Sequence, residues 1–130
     1  MSQIRILWVD DEVGVLRSHI LFLREKGFET ETCHSGNDAI SMVMEKPYDI
    51  IFLDEYMPGL SGIETLRRIK SVRPSIPVVM ITKSEEEDIM DAAIGSQIAD
   101  YLIKPVKPQQ ILLSLKRILN RSEEHTSELQ

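Results

Sequence analysis

The residues best equipped for chemistry are acids set where acids are costly. The apolar run Ile4–Val9 passes directly into Asp10, Asp11 and Glu12 ("IRILWVDDE", residues 4–12). Two unit charges ~4 Å apart repel by roughly 4 kcal/mol at an effective dielectric of about 20. A solvated turn ahead of a helix N-terminus tolerates such acids, so this stretch alone does not decide their role. Three further polar residues follow apolar runs in the same manner: Asp54 after "DIIFL", Thr82 after "VVMI" and Lys104 after "YLI". Carboxylates from two strands sharing one pocket repel unless a cation lies between them. Hard oxygen donors that leave room for water suit Mg2+ (or Mn2+), which Mg2+ takes in an octahedral shell at ~2.1 Å. A lysine ammonium and a threonine hydroxyl can hold the oxygens of a phosphoryl group, whose charge the metal would help to neutralise. The set fits phosphoryl transfer onto a carboxylate, with Asp54 as nucleophile.

For this chemistry the residues must arrive at one edge of the molecule. Ile4–Val9 reads as a strand. Val13, Leu16, Ile20 and Leu23 recur at helical spacing from Val13 to Lys26, and Gly27 supplies a stop. Phe28–Cys33 alternates as a short strand. Ser35 and Asp38 form a capping-box pattern for a helix to about Lys46, and Ser61 and Glu64 form a second for a helix through Val72. Tyr48–Leu53, Pro77–Ile81 and Tyr101–Ile103 read as strands. Ser84 is expected to cap an acidic helix, Glu85–Ile94, ended by Gly95. Lys107–Asn120 is the last helix, with Pro108 in its first turn. Strands alternating with helices imply a parallel sheet with right-handed crossovers, a three-layer α/β/α domain. In such sheets ligands bind beyond the carboxyl ends of the strands, where Asp10, Asp11, Asp54, Thr82 and Lys104 all fall.

Composition sets the outer limits. The chain has 130 residues, 42% hydrophobic and 28% charged, which fits one globular domain with a single core. Its net charge of −6 argues against non-specific binding to nucleic acid or anionic lipid. The apolar runs are too short to span a bilayer, no signal peptide opens the chain, and Cys33 is the single cysteine, so a cytoplasmic domain is expected.

Taken together, "VDDE" (9–12), "LDEYMPGLSG" (53–62), "MIT" (80–82) and "YLIKP" (101–105) resemble the receiver domain of bacterial two-component response regulators. The resemblance covers about residues 3–120. It implies a flavodoxin-like five-stranded parallel sheet of order 2-1-3-4-5. It makes Asp54 the phosphoacceptor, supplied by a sensor histidine kinase or a small phosphodonor. Asp11 would ligate Mg2+ directly and Asp10 largely through a bound water, with Asp54 and the backbone carbonyl of Tyr56 completing the protein ligands. Lys104 would bind the phosphoryl group, Thr82 would swing toward it, and Tyr101 would turn inward behind Thr82. The Lys104–Pro105 bond would be cis. Such a domain is a phosphoacceptor that catalyses its own transfer and dephosphorylation, not a turnover enzyme by itself. It switches the face formed by the fourth helix, fifth strand and fifth helix, and part of that face could pair in a phosphorylation-dependent homodimer. Helix four offers Glu85, Glu86, Glu87, Asp88 and Asp91; helix five offers Lys116 and Arg117 beside Ile111, Leu112, Leu115, Ile118 and Leu119; a solvated acidic helix four with a core-packed helix five is the equal alternative.

Two positions are less usual for that family. Lys83 follows Thr82, where many receivers carry a small residue, and Tyr56 lies two residues after Asp54. A long cation and a large ring at the mouth of the pocket would shield an acyl phosphate from water and tune its lifetime. "ILWVDDE", "HILFL", "LDEYMPGLSG" and "VVMITKSEEE" further resemble receivers of Bacteroidota regulators that carry a PglZ-type domain and are associated with type IX secretion. On that resemblance a native output domain is missing.

Other readings are weaker. A haloacid-dehalogenase-like phosphatase also uses an Asp nucleophile with Mg2+, but wants a second Asp where Tyr56 stands. A phosphate-independent binding module would not need Asp10, Asp11, Asp54, Thr82 and Lys104 together. No Gly-rich loop with Lys-Ser/Thr supports a nucleotide switch. Trp8 reads as core, Glu12 as a helix cap, and His19, His34 and His125 as structural or surface residues without metal spacing. Residues 121–130, "RSEEHTSELQ", lack the apolar period before them. They are also the translation of aga-tcg-gaa-gag-cac-acg-tct-gaa-ctc-cag, which resembles a common sequencing-library adapter. The segment is therefore expected to be foreign, with the receiver domain at residues 1–120. The domain is acidic with or without it.

Overall fold

The computed structural model describes residues 3–12 and 17–128. Five strands and five helices alternate: β1 (Arg5–Val9), α1 (Arg17–Glu25), β2 (Glu29–Cys33), α2 (Gly36–Glu45), β3 (Ile50–Leu53), α3 (Gly62–Val72), β4 (Val78–Thr82), α4 (Glu87–Gly95), β5 (Asp100–Ile103) and α5 (Pro108–Glu128). The strands form one parallel sheet of order β2-β1-β3-β4-β5, the order implied by the receiver resemblance.

The central strands are buried on both faces, as parallel strands covered by helices must be. Their side chains alternate between two cores. Leu7, Val9, Ile51, Leu53, Val78 and Met80 point to one, where α2 and α3 add Ala39, Val43, Ile63, Leu66 and Ile69. Ile6, Trp8, Ile50, Phe52, Val79 and Ile81 point to the other, closed by Ile20 and Leu23 of α1 and by Ile111, Leu115 and Ile118 of α5. Trp8 is fully buried and meets Phe52 edge-to-face at 5.0 Å, so it is core.

Both capping boxes expected from sequence are present at the N-cap. Ser35 accepts from the Asp38 N–H and Ser61 from the Glu64 N–H, each at 3.1 Å. Two ends differ from expectation. The helix α4 begins at Glu87, with Glu86 as a cap that makes no side-chain bond. Ser84 is buried and accepts from the Glu86 N–H at 3.3 Å, while its own carbonyl receives the Tyr101 hydroxyl; it serves the β4–α4 loop instead of the helix. Helix α5 continues past Asn120 to Glu128, since no glycine or proline lies between them to stop it. Of the first-helix positions, Val13 and Leu16 fall outside the described residues.

The loop between β3 and α3 is held tightly. The Gly62 N–H donates to the Glu55 carbonyl at 2.9 Å, and the Ile63 N–H to a Glu55 carboxylate oxygen at 2.8 Å. A Cβ on Gly62 would lie 2.3 Å from the Asp54 carbonyl oxygen and 2.6 Å from the Glu55 Cα, both backbone atoms that cannot step aside. Gly62→Ala should therefore destabilise the fold by roughly 1–3 kcal/mol, the usual cost of overpacking. Urea denaturation measures it, and an unchanged midpoint would show that the loop yields freely.

Candidate functional site

The ladder hydrogen bonds carry one residue past each strand and so place the site. The Asp10 N–H donates to the Cys33 carbonyl (3.1 Å), the Asp54 N–H to that of Val9 (3.0 Å) and the Lys104 N–H to that of Thr82 (2.9 Å). Residues from β1, β3 and β5 thereby converge at one sheet edge. The Lys104 ammonium donates to Asp10 Oδ2 at 2.6 Å and to Asp54 Oδ2 at 3.0 Å. Asp10 and Asp54 are buried, and Asp11 is exposed beside them. Carboxylate oxygens of Asp10, Asp11 and Asp54 all lie within 4.8 Å of one another.

The second oxygens are also engaged. Asp10 Oδ1 accepts from the Glu12 N–H at 2.8 Å, and Asp54 Oδ1 from the Tyr56 N–H at 3.3 Å. Three carboxylates against one ammonium leave excess negative charge. A hard divalent cation, held by oxygen donors at this spacing, would balance it. Burial pulls the Lys104 pKa down, but the bonds to Asp10 and Asp54 outweigh it and hold the ammonium above the ordinary lysine value.

Around this centre, Thr82 is fully buried at the end of β4, and its hydroxyl accepts from the Ser84 N–H at 3.4 Å. The Tyr101 hydroxyl donates to the Ser84 carbonyl at 3.0 Å, and burial raises its pKa. Tyr101 packs against the core beside α2 and α3. The Lys104–Pro105 peptide bond is cis. Tyr56 is half-exposed next to Asp54, and Lys83 lies 3.9 Å from Glu12. A cleft of about 420 Å³ opens next to Lys104, lined by Glu12, His19, Ile81, Lys83, Lys104, Pro105 and Val106. Within the expected switch face, Ile111, Leu115 and Ile118 are core residues, and Arg117 pairs with Asp100 of its own chain.

Two residues of this region carry no signal in the sequence. Glu55 reaches over its loop to cap α3, and burial raises its carboxyl pKa against the bond from Ile63. His19, read as structural, reaches the carbonyl of Val106 at 2.6 Å. Neither pairing follows a local spacing rule.

Comparison with known proteins places this architecture. Residues 6–116 match the family model described as the response regulator receiver domain. The chain is 32% identical over 123 residues to the transcriptional regulatory protein ResD of Bacillus subtilis, covering 95% of this chain and 51% of that protein. It is 32% identical over 127 residues to the DNA-binding response regulator MtrA of Mycolicibacterium smegmatis, covering 96% of this chain and 54% of that protein. It superimposes on a CheY-like receiver domain protein from Methanospirillum hungatei with a TM-score of 0.91, at 25% identity, covering 95% of this chain and 99% of that one. The chain belongs to the response regulator receiver domain family of two-component systems. It spans about half the length of these two curated relatives. Receiver domains bind Mg2+ at an acidic pocket, and Asp10, Asp11 and Asp54 have the spacing and donor type for it. No helix among the described residues is long and apolar enough to cross a membrane.

Because Lys104 already occupies the cluster, it competes with a metal for the same negative charge. Lys104→Met should tighten Mg2+ binding roughly tenfold, the modest end of what one unit charge at this range is worth. Fluorescence of Trp8, two residues before Asp10, reads the titration. The sign of the pH dependence follows from the raised Lys104 pKa. The ion pairs contribute fully below the unfolded lysine value of about 10.4 and are lost as pH climbs through the folded one. The Lys104→Met variant should lack that alkaline loss of stability, and equal Mg2+ affinity in both proteins would place the ammonium outside the cluster.

Proposed function

We propose that Asp54 accepts a phosphoryl group from a sensor histidine kinase or a small phosphodonor, and that this switches the α4–β5–α5 face. One observation carries the reading: the Lys104 ammonium, from the end of β5, bridges the buried carboxylates of Asp10 and Asp54, with Asp11 in the same cluster. Asp11, Asp54 and the Tyr56 carbonyl would hold Mg2+ (or Mn2+) directly, and Asp10 largely through water. The bound metal supplies charge neutralisation between the acids and the incoming phosphoryl group. An Asp54 carboxylate oxygen attacks phosphorus, an acyl phosphate bond forms, and the donor's bond to phosphorus breaks with its electron pair leaving on the donor. Lys104 then exchanges a carboxylate partner for a phosphoryl oxygen, which keeps its buried charge paired. The Thr82 hydroxyl, at the adjacent strand end, would turn to a second oxygen. Its departure frees the Ser84 N–H and, through the Ser84 carbonyl, loosens the hold on Tyr101.

The domain is proposed to be a self-catalysing phosphoacceptor in the cytoplasm, with autodephosphorylation as its off-step. A native output domain would follow about Asn120, of the PglZ type on the closer resemblance, with residues 121–130 foreign to it. The names of ResD and MtrA describe transcription and DNA binding in those proteins, and they support an output domain as the thing controlled. A phosphorylation-dependent homodimer through α4–β5–α5 is part of the same proposal. Ile94 of α4 and Leu113 of α5, both large apolar side chains left exposed, support it.

Intact mass after incubation with acetyl phosphate and Mg2+ tests the chemistry. A single phosphoryl adduct is expected in wild type and none in Asp54→Ala or without Mg2+. If neither acetyl phosphate nor a cognate kinase yields an adduct, the domain is a phosphate-independent binding module. Tyr56, two residues after Asp54, and Lys83, next to Thr82, would screen the acyl phosphate from water. Tyr56→Asn and Lys83→Ala are each expected to speed loss of the adduct in a chase by mass spectrometry, and unchanged rates in both would remove the two residues from lifetime control.

A further inference from the structure

Lys104 is anchored on one side only by the sheet. Its N–H donates to Thr82, but the next backbone bonds belong to the first turn of α5, where the Gln110 and Ile111 N–H groups donate to the Lys107 carbonyl. Among the described residues, the one hydrogen bond to the backbone of residues 105 and 106 comes from another element. His19 of α1 meets the Val106 carbonyl at 2.6 Å through Nε2. A carbonyl oxygen can only accept, so Nε2 carries the hydrogen. The ring is fixed from behind: it stands edge-on to Trp8 with centroids 6.0 Å apart and planes at 76°. Trp8 is fully buried in β1, two residues before Asp10.

We infer that His19 is a positioning residue for phosphoryl transfer: by tying the Val106 carbonyl to α1, it fixes the segment that aims the Lys104 ammonium at Asp10 and Asp54. The inference rests on the receiver reading of Lys104. It gives α1 a mechanical link to the site that passes through no metal ligand. His19 touches neither Asp54 nor the phosphoryl position and takes no part in bond making. The alternative is a ring that merely fills space against Trp8, and two substitutions separate the two roles. His19→Phe keeps the aromatic contact and loses the donor. His19→Gln keeps a donor nitrogen at a similar reach and loses the ring.

Phosphorylation by acetyl phosphate, followed by intact mass at saturating Mg2+ and donor, gives the first readout. His19→Phe is expected to slow the reaction on the order of fivefold, the factor one ordinary hydrogen bond is worth, and to bind Mg2+ more tightly than wild type, because a released Lys104 ammonium no longer competes for Asp10 and Asp54. His19→Gln is expected to react at close to the wild-type rate. Equal rates for His19→Phe and wild type overturn the inference, and so does an equal loss in both variants, which would mark packing alone. The second readout needs no phosphate. In the ¹⁵N spectrum of the unmodified protein, the Lys104 ammonium should stand apart from the solvent-exposed lysines in wild type and His19→Gln, and merge with them in His19→Phe. An unshifted Lys104 signal in folded His19→Phe overturns the inference even if the wild-type protein accepts no phosphoryl group, an outcome that would separately end the receiver chemistry.

Discussion

One ammonium holding two buried carboxylates is the constraint on which the rest of the structure depends. Asp10 and Asp54 cannot both stay charged inside the protein without a partner, because unpaired burial costs several kcal/mol per ion. Lys104 is that partner, and it reaches them only if β1, β3 and β5 end level with one another. The parallel ladders secure this. Asp10 and Asp54 each donate one further sheet hydrogen bond beyond the apolar strand, and Lys104 does the same at the edge. A slip of one residue in any strand would exchange its two core faces and point the terminal acid or lysine elsewhere. The alternation of Leu7, Val9, Ile51 and Leu53 to one core and Trp8 and Phe52 to the other forbids that slip.

The same arrangement leaves the site with unbalanced charge. Here an exposed acid, Asp11, adds charge that Lys104 cannot offset. The resulting excess can be met from outside by a divalent ion, and the ion in turn lets an anionic group approach. Thr82, Ser84 and Tyr101 are joined in series by hydrogen bonds, from the sheet edge to the β4–α4 loop and on to β5. A change of partner at Thr82 therefore has a short physical route to the outer face of the domain.

Some of the stiffness comes from close approach and not from polar pairing. Gly62 lets the start of α3 press against the Asp54 and Glu55 backbone, leaving no room for a Cβ. Glu55 closes that loop with its backbone carbonyl and its carboxylate. The Tyr56 carbonyl sits within the segment so confined. On the opposite side, His19 does for the Val106 segment what Glu55 does for this one. The two loops that flank the site are thus each fastened to a helix by a side chain far away in sequence or reaching across its own turn.

The sequence alone determined the strands, the helices and the edge at which the acids, the threonine and the lysine collect. These are local properties: period-2 and period-3.6 patterns, capping serines, and a polar residue directly after each apolar run. They sufficed for the α/β/α layers and for naming Asp10, Asp11, Asp54, Thr82 and Lys104 as one group, while the strand order came from the motifs' resemblance to a family. The tertiary structure decided what each of those residues touches. It drew Ser84 away from capping α4, decided for the core-packed reading of Ile111, Leu115 and Ile118, and brought His19 to a carbonyl 87 positions further along the chain. Such contacts depend on how layers stack and which helix faces which loop, and no periodicity within one segment encodes a partner on another.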